Sequence, residues 1–390
     1  MPDRFDWTRM LLRKLCLVSL FASASLFAET PNKPIAAALQ PFVDRHELAG
    51  AVTLVATKDK VLDVETVGWA DIAAKKPMHA DAVMWIASMS KGITAAALMI
   101  LVDEGKVKLD DPVEKYLPEF KGQMVVAEKD GYHVLLKKPK HPITIRNVLS
   151  HTSGLPFKAA VEEPTLDMLP LATAVKAHAA SALMFEPDSK YQYSNAGINT
   201  AGRIIEVVSG MSYEDFMDKR LFDPLGMKDT TFWPNDEQVS RLAKSYKPNA
   251  TKNDLEETTI TQLKYPLQDR RRQPMPGGGL FSTAADVAVF CQMLMNGGKH
   301  QGKPIISEAS VKEMTSRQTA PELKESYGFG LQVGQGSFGH GGAFATNMTV
   351  DLEHGIITVF MVQHAGFPGK GKDSGGAFKA AALKAFGMGR

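Results

Sequence analysis

Trp85-Ile86-Ala87-Ser88-Met89-Ser90-Lys91-Gly92-Ile93-Thr94-Ala95-Ala96-Ala97-Leu98-Met99-Ile100 is the stretch around which the chain reads as organised. On an α-helix, positions i and i+3 share a face, roughly 5–6 Å apart at Cβ, so the Lys91 amine can fold back onto the Ser88 hydroxyl. An unassisted serine is a poor nucleophile at neutral pH. A neighbouring amine whose pKa is depressed by desolvation can take its proton. From Ile93 to Val102 almost every side chain is apolar, the pattern of a helix that is buried all round. The Ser88–Lys91 pair then lies at a helix N-terminus, where unpaired N–H groups favour developing negative charge. The competing reading is a surface helix start, with Ser88 or Ser90 as N-cap and Lys91 solvated. Against it, this is the sole Ser-x-x-Lys of the chain and it opens the most uniformly apolar helix.

Working outward to the N-terminus, Met1 to Lys14 is polar and basic, and Leu15 to Phe27 is a short apolar run with Ala and Ser. This is the pattern of a secretory signal over residues 1–28, too short for a membrane span and with small residues at Ala24 and Ala28. The expected location is therefore periplasmic or secreted, with no stable membrane insertion once the signal is removed; an uncleaved anchor is the alternative. Cys16 falls inside the signal, so Cys291 alone would remain and no intramolecular disulfide is expected. A formal charge of +2 offers no field for nucleic acid. The Lys137-Lys138-Pro139-Lys140 and Arg270-Arg271-Arg272 clusters read as solvated loops.

Some 360 residues after the signal imply two closely packed lobes. Pro34 to His46 has helical spacing, and 50–57 with 61–67 reads as a β-hairpin turning at Lys58-Asp59-Lys60. Tyr327–Val333, Ser337–Gly342, Thr346–Leu352 and Ile356–Gln363 read as an antiparallel meander, followed by a helix over Ala377–Phe386. Helices are expected at Thr144–Leu149, Ala196–Gly210, Tyr213–Leu221 and Ala284–Asn296. The fold class is thus α/β (α+β): an antiparallel sheet built from the N- and C-terminal segments and flanked by helices. Residues of about 29–80 and 280–390 form this lobe, and about 81–279 a mostly helical one.

Two further stretches carry candidate chemistry. In Tyr191-Gln192-Tyr193-Ser194-Asn195, Tyr193 offers a phenol acid or base with its pKa lowered by Lys91, and Asn195 a partner for Lys91 and a substrate carbonyl. The bland alternative makes Asn195 a helix N-cap. In Phe338-Gly339-His340-Gly341-Gly342-Ala343, glycines inside a strand point to something approaching its edge closely, with His340 placed to orient or protonate it. A satisfied surface histidine is the alternative there. Gly334-Gln335-Gly336-Ser337-Phe338-Gly339 matches a dinucleotide pattern, but a strand follows it, so no cofactor is indicated. Neither His-Glu-x-x-His nor Gly-x-Ser-x-Gly occurs, which argues against a metal site and against a nucleophile elbow.

Ser88-Met89-Ser90-Lys91, Tyr193-Ser194-Asn195 and His340-Gly341-Gly342, in this order, resemble the three motifs of the serine β-lactamase and penicillin-binding protein superfamily, and most closely its class C β-lactamase-like group, which includes DD-peptidases, D-aminopeptidases and family VIII carboxylesterases. Leu149–Pro156, Leu221–Met227 and Gly277–Thr283 resemble further landmarks of that group. The resemblance implies a covalent acyl-enzyme on Ser88, with Lys91 and Tyr193 sharing its proton and Tyr193 later activating water. It also implies an oxyanion hole from the Ser88 and Ala343 backbone N–H groups and substrate contacts from Asn195, His340, Gly341 and Gly342.

Where many β-lactamases carry Lys-Thr-Gly, His340-Gly341-Gly342 lacks a permanent cation. That favours peptidase and esterase branches over dedicated β-lactamases. Carboxylate-bearing substrates should then gain as pH falls and His340 becomes charged. Two functions follow: a secreted serine hydrolase of small esters, amides or peptides, or a catalytically inactive binding or assembly protein on the same scaffold.

Overall fold

Every residue of β1 (Gly50–Ala56) is buried, which places this strand at the centre of the molecule. The computed structural model describes residues 33–387, so the expected signal segment and Cys16 lie outside the described residues. β1 pairs with β2 (Val61–Asp71) across the anticipated turn, and β3 (Lys76–Pro77) extends that edge. From the C-terminal part come β4 (Gln332–Gly334), β5 (Ser337–Gly341), β6 (Asn347–Asp351) and β7 (Ile356–Met361). They join the first three in one antiparallel sheet, ordered β4-β5-β6-β7-β1-β2-β3. The seam is the β1–β7 pairing, with Val52 opposite Met361 and Val55 opposite Thr358.

Helices α1 (Pro34–Asp44), α2 (Ser90–Asp103), α3 (Ile145–Ser150), α4 (Leu171–Ala180), α5 (Asn195–Ser209), α6 (Ala284–Met295), α7 (Glu308–Thr315) and α8 (Ser374–Phe386) cover and extend this sheet. The two-residue alternation of β1 sends Ala51 and Val55 to one face, where Ile35 and Leu39 of α1 and Phe378 of α8 pack. Val52 and Leu54 point to the other, into a core shared with Val287 and Phe290 of α6 and Leu98 of α2. Covered on both faces, β1 is a continuous apolar run rather than an alternating one. All side chains from Ser90 to Leu101 are buried, and α2 packs against α5 and α7.

The local signals that set the other helices are short polar ones. Thr144 and Asn147 form a capping box at the start of α3. Ser194 Oγ accepts the Gly197 N–H at 3.0 Å to start α5, and Gly210 ends it in the left-handed conformation.

Several expectations are corrected. The strand expected at Tyr327–Val333 is confined to β4. Upstream of β4 the chain serves instead to brace α2: Gly330 has φ +65°, and a Cβ there would lie 2.3 Å from the Lys91 carbonyl. The helix expected at Tyr213–Leu221 is α-helical only to Met217 and then widens to a π turn over Asp218–Phe222, ahead of Pro224, which has no N–H to give. Lys137 ends a strand, as half of a hairpin formed by Val125–Lys129 and Val134–Lys137, and pairs with Glu186 at 2.8 Å. Arg272 is not in a solvated loop. It is buried, its Nε donates to Asp167 Oδ2 at 2.7 Å, and its Nη1 donates to the Phe232 carbonyl at 2.9 Å.

Removing one partner of a buried ion pair leaves the other charge uncompensated, at a cost of about 3–5 kcal/mol. Asp167→Ala is therefore expected to lower the unfolding free energy by about that amount in urea titrations. Arg271→Ala, at a side chain 82% exposed, should change it by no more than about 0.5 kcal/mol. Similar losses for both would show that the Arg272 pairing carries no special weight.

Candidate active site

Ser88 does not lie on α2 itself. Ala87–Met89 makes a single 3-10 turn that runs into α2 at Ser90. The turn is forced from upstream: the Ile86 N–H donates to the Leu280 carbonyl at 3.0 Å, Trp85 Nε1 donates to the Gly278 carbonyl at 2.7 Å, and Gln363 Nε2 donates to the Trp85 carbonyl at 3.0 Å. With Trp85 and Ile86 pinned in this way, the chain enters the turn through Ala87 at φ +46°, a left-handed conformation uncommon for a residue with a side chain. Ser90 Oγ donates back to the Ala87 carbonyl at 2.6 Å.

Lys91 has no exposed surface, so the solvated-lysine reading falls. Its Nζ lies 3.2 Å from Ser88 Oγ and 2.7 Å from Asn195 Oδ1, and it donates to the Gly277 carbonyl. Burial brings the amine down to a pKa of about 7. In the neutral form it has two N–H groups and one lone pair. Asn195 Oδ1 and the Gly277 carbonyl can only accept, so they take both N–H groups and leave the lone pair facing Ser88 O–H.

Asn195 can serve Lys91 because Ser194, not Asn195, caps α5. Gly277 is held in turn by its N–H, which donates to Asn199 Oδ1 at 3.0 Å, one turn further along α5. The role of the Gly277 carbonyl was missed in the sequence. Its signal is the Gly277-Gly278-Gly279 run, where a Cβ on Gly277 would lie 3.0 Å from Asn195 Oδ1.

Lys91 Nζ sits 4.7 Å from the centroid of the Tyr193 ring. Burial raises the Tyr193 phenol well above its ordinary pKa, opposed by its hydrogen bond with Ser88. The expectation that Lys91 lowers it is corrected, because desolvation dominates and Lys91, with a pKa of about 7, carries only about half a charge near neutral pH.

His340 is buried rather than superficial. Its Nδ1–H donates to the Gly341 carbonyl at 2.6 Å, and its Nε2 accepts from the Tyr327 hydroxyl at 2.9 Å. Burial, with a smaller push from Lys91, lowers its pKa to about 4. Charging of His340 between about pH 5.5 and 8 is therefore ruled out, and with it the expected gain for carboxylates as pH falls.

Gly342, just beyond β5, brings that segment against the Ser88 turn: a Cβ there would lie 2.6 Å from the Ile86 carbonyl. Ala343 follows it. Neither the Ser88 nor the Ala343 N–H has an acceptor among the described residues. Pairing of β5 with β4 ends at Gly339, opposite Gln332, so Gly341 has no β4 partner. Ser88, Tyr193, Asn195, His340, Gly341, Gly342 and Ala343 all border one cavity of about 360 Å³, walled by Trp85, Phe157 and Met275. No Asp, Glu, Lys or Arg side chain lines it among the described residues.

The family described as Beta-lactamase matches residues 35–382. Protein Rv1367c of Mycobacterium tuberculosis is 31% identical over 366 residues, covering 84% of this chain and 89% of that protein. Lovastatin esterase of Penicillium rubens is 28% identical over 276 residues, covering 68% of this chain and 67% of that protein. The solved structure of EstCE1, described as a hydrolase with promiscuous acyltransferase activity, superposes with a TM-score of 0.75 at 25% identity, covering 90% of this chain and 97% of that one. Since the family match runs from the first turn of α1 into α8, and so takes in both the sheet and the Ser88 cavity, the chain belongs to the beta-lactamase family, a family of hydrolases.

Proposed function

We propose that this chain is an exported serine hydrolase that cleaves small neutral carboxylic esters through an acyl-enzyme on Ser88. The observation that carries this reading is the placement of the buried Lys91 Nζ within hydrogen-bond reach of two oxygens that can only accept and of the Ser88 hydroxyl, which in the neutral amine leaves the lone pair for Ser88. A binding protein has no use for a lysine kept near neutrality by burial. Export rests on the signal expected at residues 1–28.

In the first half-reaction Ser88 Oγ attacks the ester carbonyl carbon and its proton passes to Lys91 Nζ. The oxyanion is taken by the Ser88 and Ala343 N–H groups, each typically worth about 2.7–4 kcal/mol in such sites. The carbon–oxygen bond to the alcohol then breaks. The Tyr193 phenol, protonated because burial raises its pKa, gives its proton to the leaving oxygen and is restored from the Lys91 ammonium. Deacylation runs this path in reverse with water in place of the alcohol: Tyr193 takes a proton from the attacking water as it passes its own to Lys91, and Lys91 returns a proton to Ser88 Oγ as the acyl bond breaks, so Lys91 and Tyr193 act as one proton-transfer unit.

The preference for neutral substrates comes from the lining of the cavity. A carboxylate-bearing β-lactam or peptide would meet no cationic side chain there, and both ring nitrogens of His340 are engaged within the protein. The apolar walls from Trp85, Phe157 and Met275 suit a short acyl chain. The relatives named as an esterase and a hydrolase support the same reading.

Ser88→Ala removes one small hydroxyl, so the fold should stay intact while p-nitrophenyl butyrate hydrolysis falls by at least about 10³-fold. A fluorophosphonate should label the wild type stoichiometrically and the variant not at all. Wild-type turnover by Ser88→Ala would place the nucleophile elsewhere.

The pH dependence follows from Lys91. Its lone pair is available only above its pKa of about 7, so kcat/KM should rise with pH below that value and level off above it. Because His340 stays neutral, the ratio of nitrocefin to p-nitrophenyl butyrate kcat/KM should be low and constant from about pH 5.5 to 8. Nitrocefin turnover equal to that of the ester would overturn the neutral-substrate reading, and a flat pH profile would remove Lys91 as the base.

A further inference from the structure

The phenol of Tyr193 is held by a residue to which the mechanism above gives no part. His151 directly follows α3, in the left-handed conformation with φ +63°. Glycine is the usual occupant of such a helix end, because a Cβ is crowded there. This position instead carries a buried imidazole.

Its contacts converge on the Tyr193 segment. The His151 carbonyl accepts the Gln192 N–H at 2.9 Å, and His151 Nδ1 accepts the Ser194 N–H at 3.2 Å. The two bonds straddle Tyr193. The imidazole centroid lies 4.6 Å from the Tyr193 ring, 4.7 Å from Tyr327 and 5.8 Å from Tyr191. With Nδ1 accepting, the ring proton is assigned to Nε2, and that nitrogen is buried without a hydrogen-bond partner among the described residues.

A left-handed backbone and an unpartnered buried N–H both work against stability, and a glycine would avoid both. Their combination in a cage of tyrosines is better explained by what the ring does to its neighbours. We propose that His151 is a positioning residue that sets Tyr193 for proton transfer at Ser88, fixing the chain on either side of the tyrosine and the tilt of its ring. The proposal rests on the reading of Tyr193 as the proton donor. Burial, with smaller contributions from Lys91 and His340, holds the imidazole pKa well below its ordinary value. It stays neutral at working pH, so its influence on Tyr193 is geometric and the pH profile belongs to Lys91.

Two substitutions separate this from a structural cap. His151→Gly suits the backbone and deletes the ring, so a residue that merely ends α3 loses nothing by it. His151→Asn tolerates the left-handed conformation and places an oxygen acceptor near the position of Nδ1. The experiment measures kcat and KM for p-nitrophenyl butyrate with each substitution, in the wild-type and Tyr193→Phe backgrounds, with circular dichroism as the check on folding. Misplacement of a reacting group by about 1 Å costs about 10²-fold in rate.

The expected result is a kcat loss of about that size for folded His151→Gly, with KM within about threefold and recovery of about tenfold or more by His151→Asn. In the Tyr193→Phe background, His151→Gly should cost less than about threefold further, because the group it positions is already gone. Equal losses in both backgrounds, or a folded His151→Asn no better than His151→Gly, would overturn the proposal. If His151→Gly does not fold, His151→Asn decides through the same two backgrounds: a kcat loss confined to the background that keeps Tyr193 upholds the positioning role, and equal effects in both, including none in either, overturn it. Failure of the parent reading looks different, since Tyr193→Phe alone would then keep wild-type kcat.

Discussion

A lysine amine without water is the constraint on which the rest of this structure depends. Lowering the Lys91 pKa from its usual range to about 7 corresponds to roughly 5 kcal/mol of differential stabilisation between its two protonation states. Near neutral pH that term opposes folding, because the unfolded lysine keeps its proton where the folded one surrenders it. The opposition is met by burial elsewhere: α2 hides every side chain from Ser90 to Leu101. Asn195 and Gly277 then give the amine acceptors for the two N–H groups it retains when neutral, so that the group is desolvated without being orphaned.

The residues around that amine come from four distant segments, and what brings them together is the close approach of glycine backbone to its neighbours. Gly330 lies against the Lys91 carbonyl, Gly342 against the Ile86 carbonyl and Gly277 against the Asn195 side chain. In each case a Cβ would stand within about 3 Å of its neighbour, closer than carbon approaches oxygen without strain. The β1–β7 seam makes this possible. It ties the N-terminal strands to the C-terminal meander, so that the loop after β5 arrives beside the turn that carries Ser88.

Much of the architecture is legible in the sequence because it is written in short-range periodicity. The apolar run after Gly50, the hairpin turn at Lys58-Asp59-Lys60 and the largely apolar run after Lys91 each report a local requirement, and each element forms where expected. The proximity of Ser88 and Lys91 was legible for the same reason. What stayed hidden depends on burial created by residues far away. Arg272 looks like its neighbour Arg271 until Asp167, more than a hundred positions upstream, is folded against it. Tyr193 reads as a phenol acidified by lysine until desolvation of both is taken into account. His340 reads as a group that orients or protonates a substrate and His151 as part of a family landmark, and their partners Tyr327 and Ser194 are set by tertiary contacts that no spacing rule encodes.

Burial acts in the same sense on six titratable groups in and behind the wall of the cavity. It pushes the acids Tyr191, Tyr193 and Tyr327 up, and the bases Lys91, His151 and His340 down. Each group is thereby driven toward its uncharged form, and no carboxylate or guanidinium lines the cavity among the described residues. A site built in this way holds little charge before any reaction, so in the proposed mechanism the charges that matter are those the chemistry makes, an oxyanion beside Ser88 and an ammonium at Lys91. With the amine shut away from solvent, their attraction to each other and to fixed N–H dipoles is stronger than in water. The same desolvation that makes Lys91 costly to fold keeps its lone pair available near neutral pH, and in the proposed mechanism the oxyanion beside it offsets the cost of the ammonium once the proton has moved. That links the stability of α2 to the chemistry at its N-terminus.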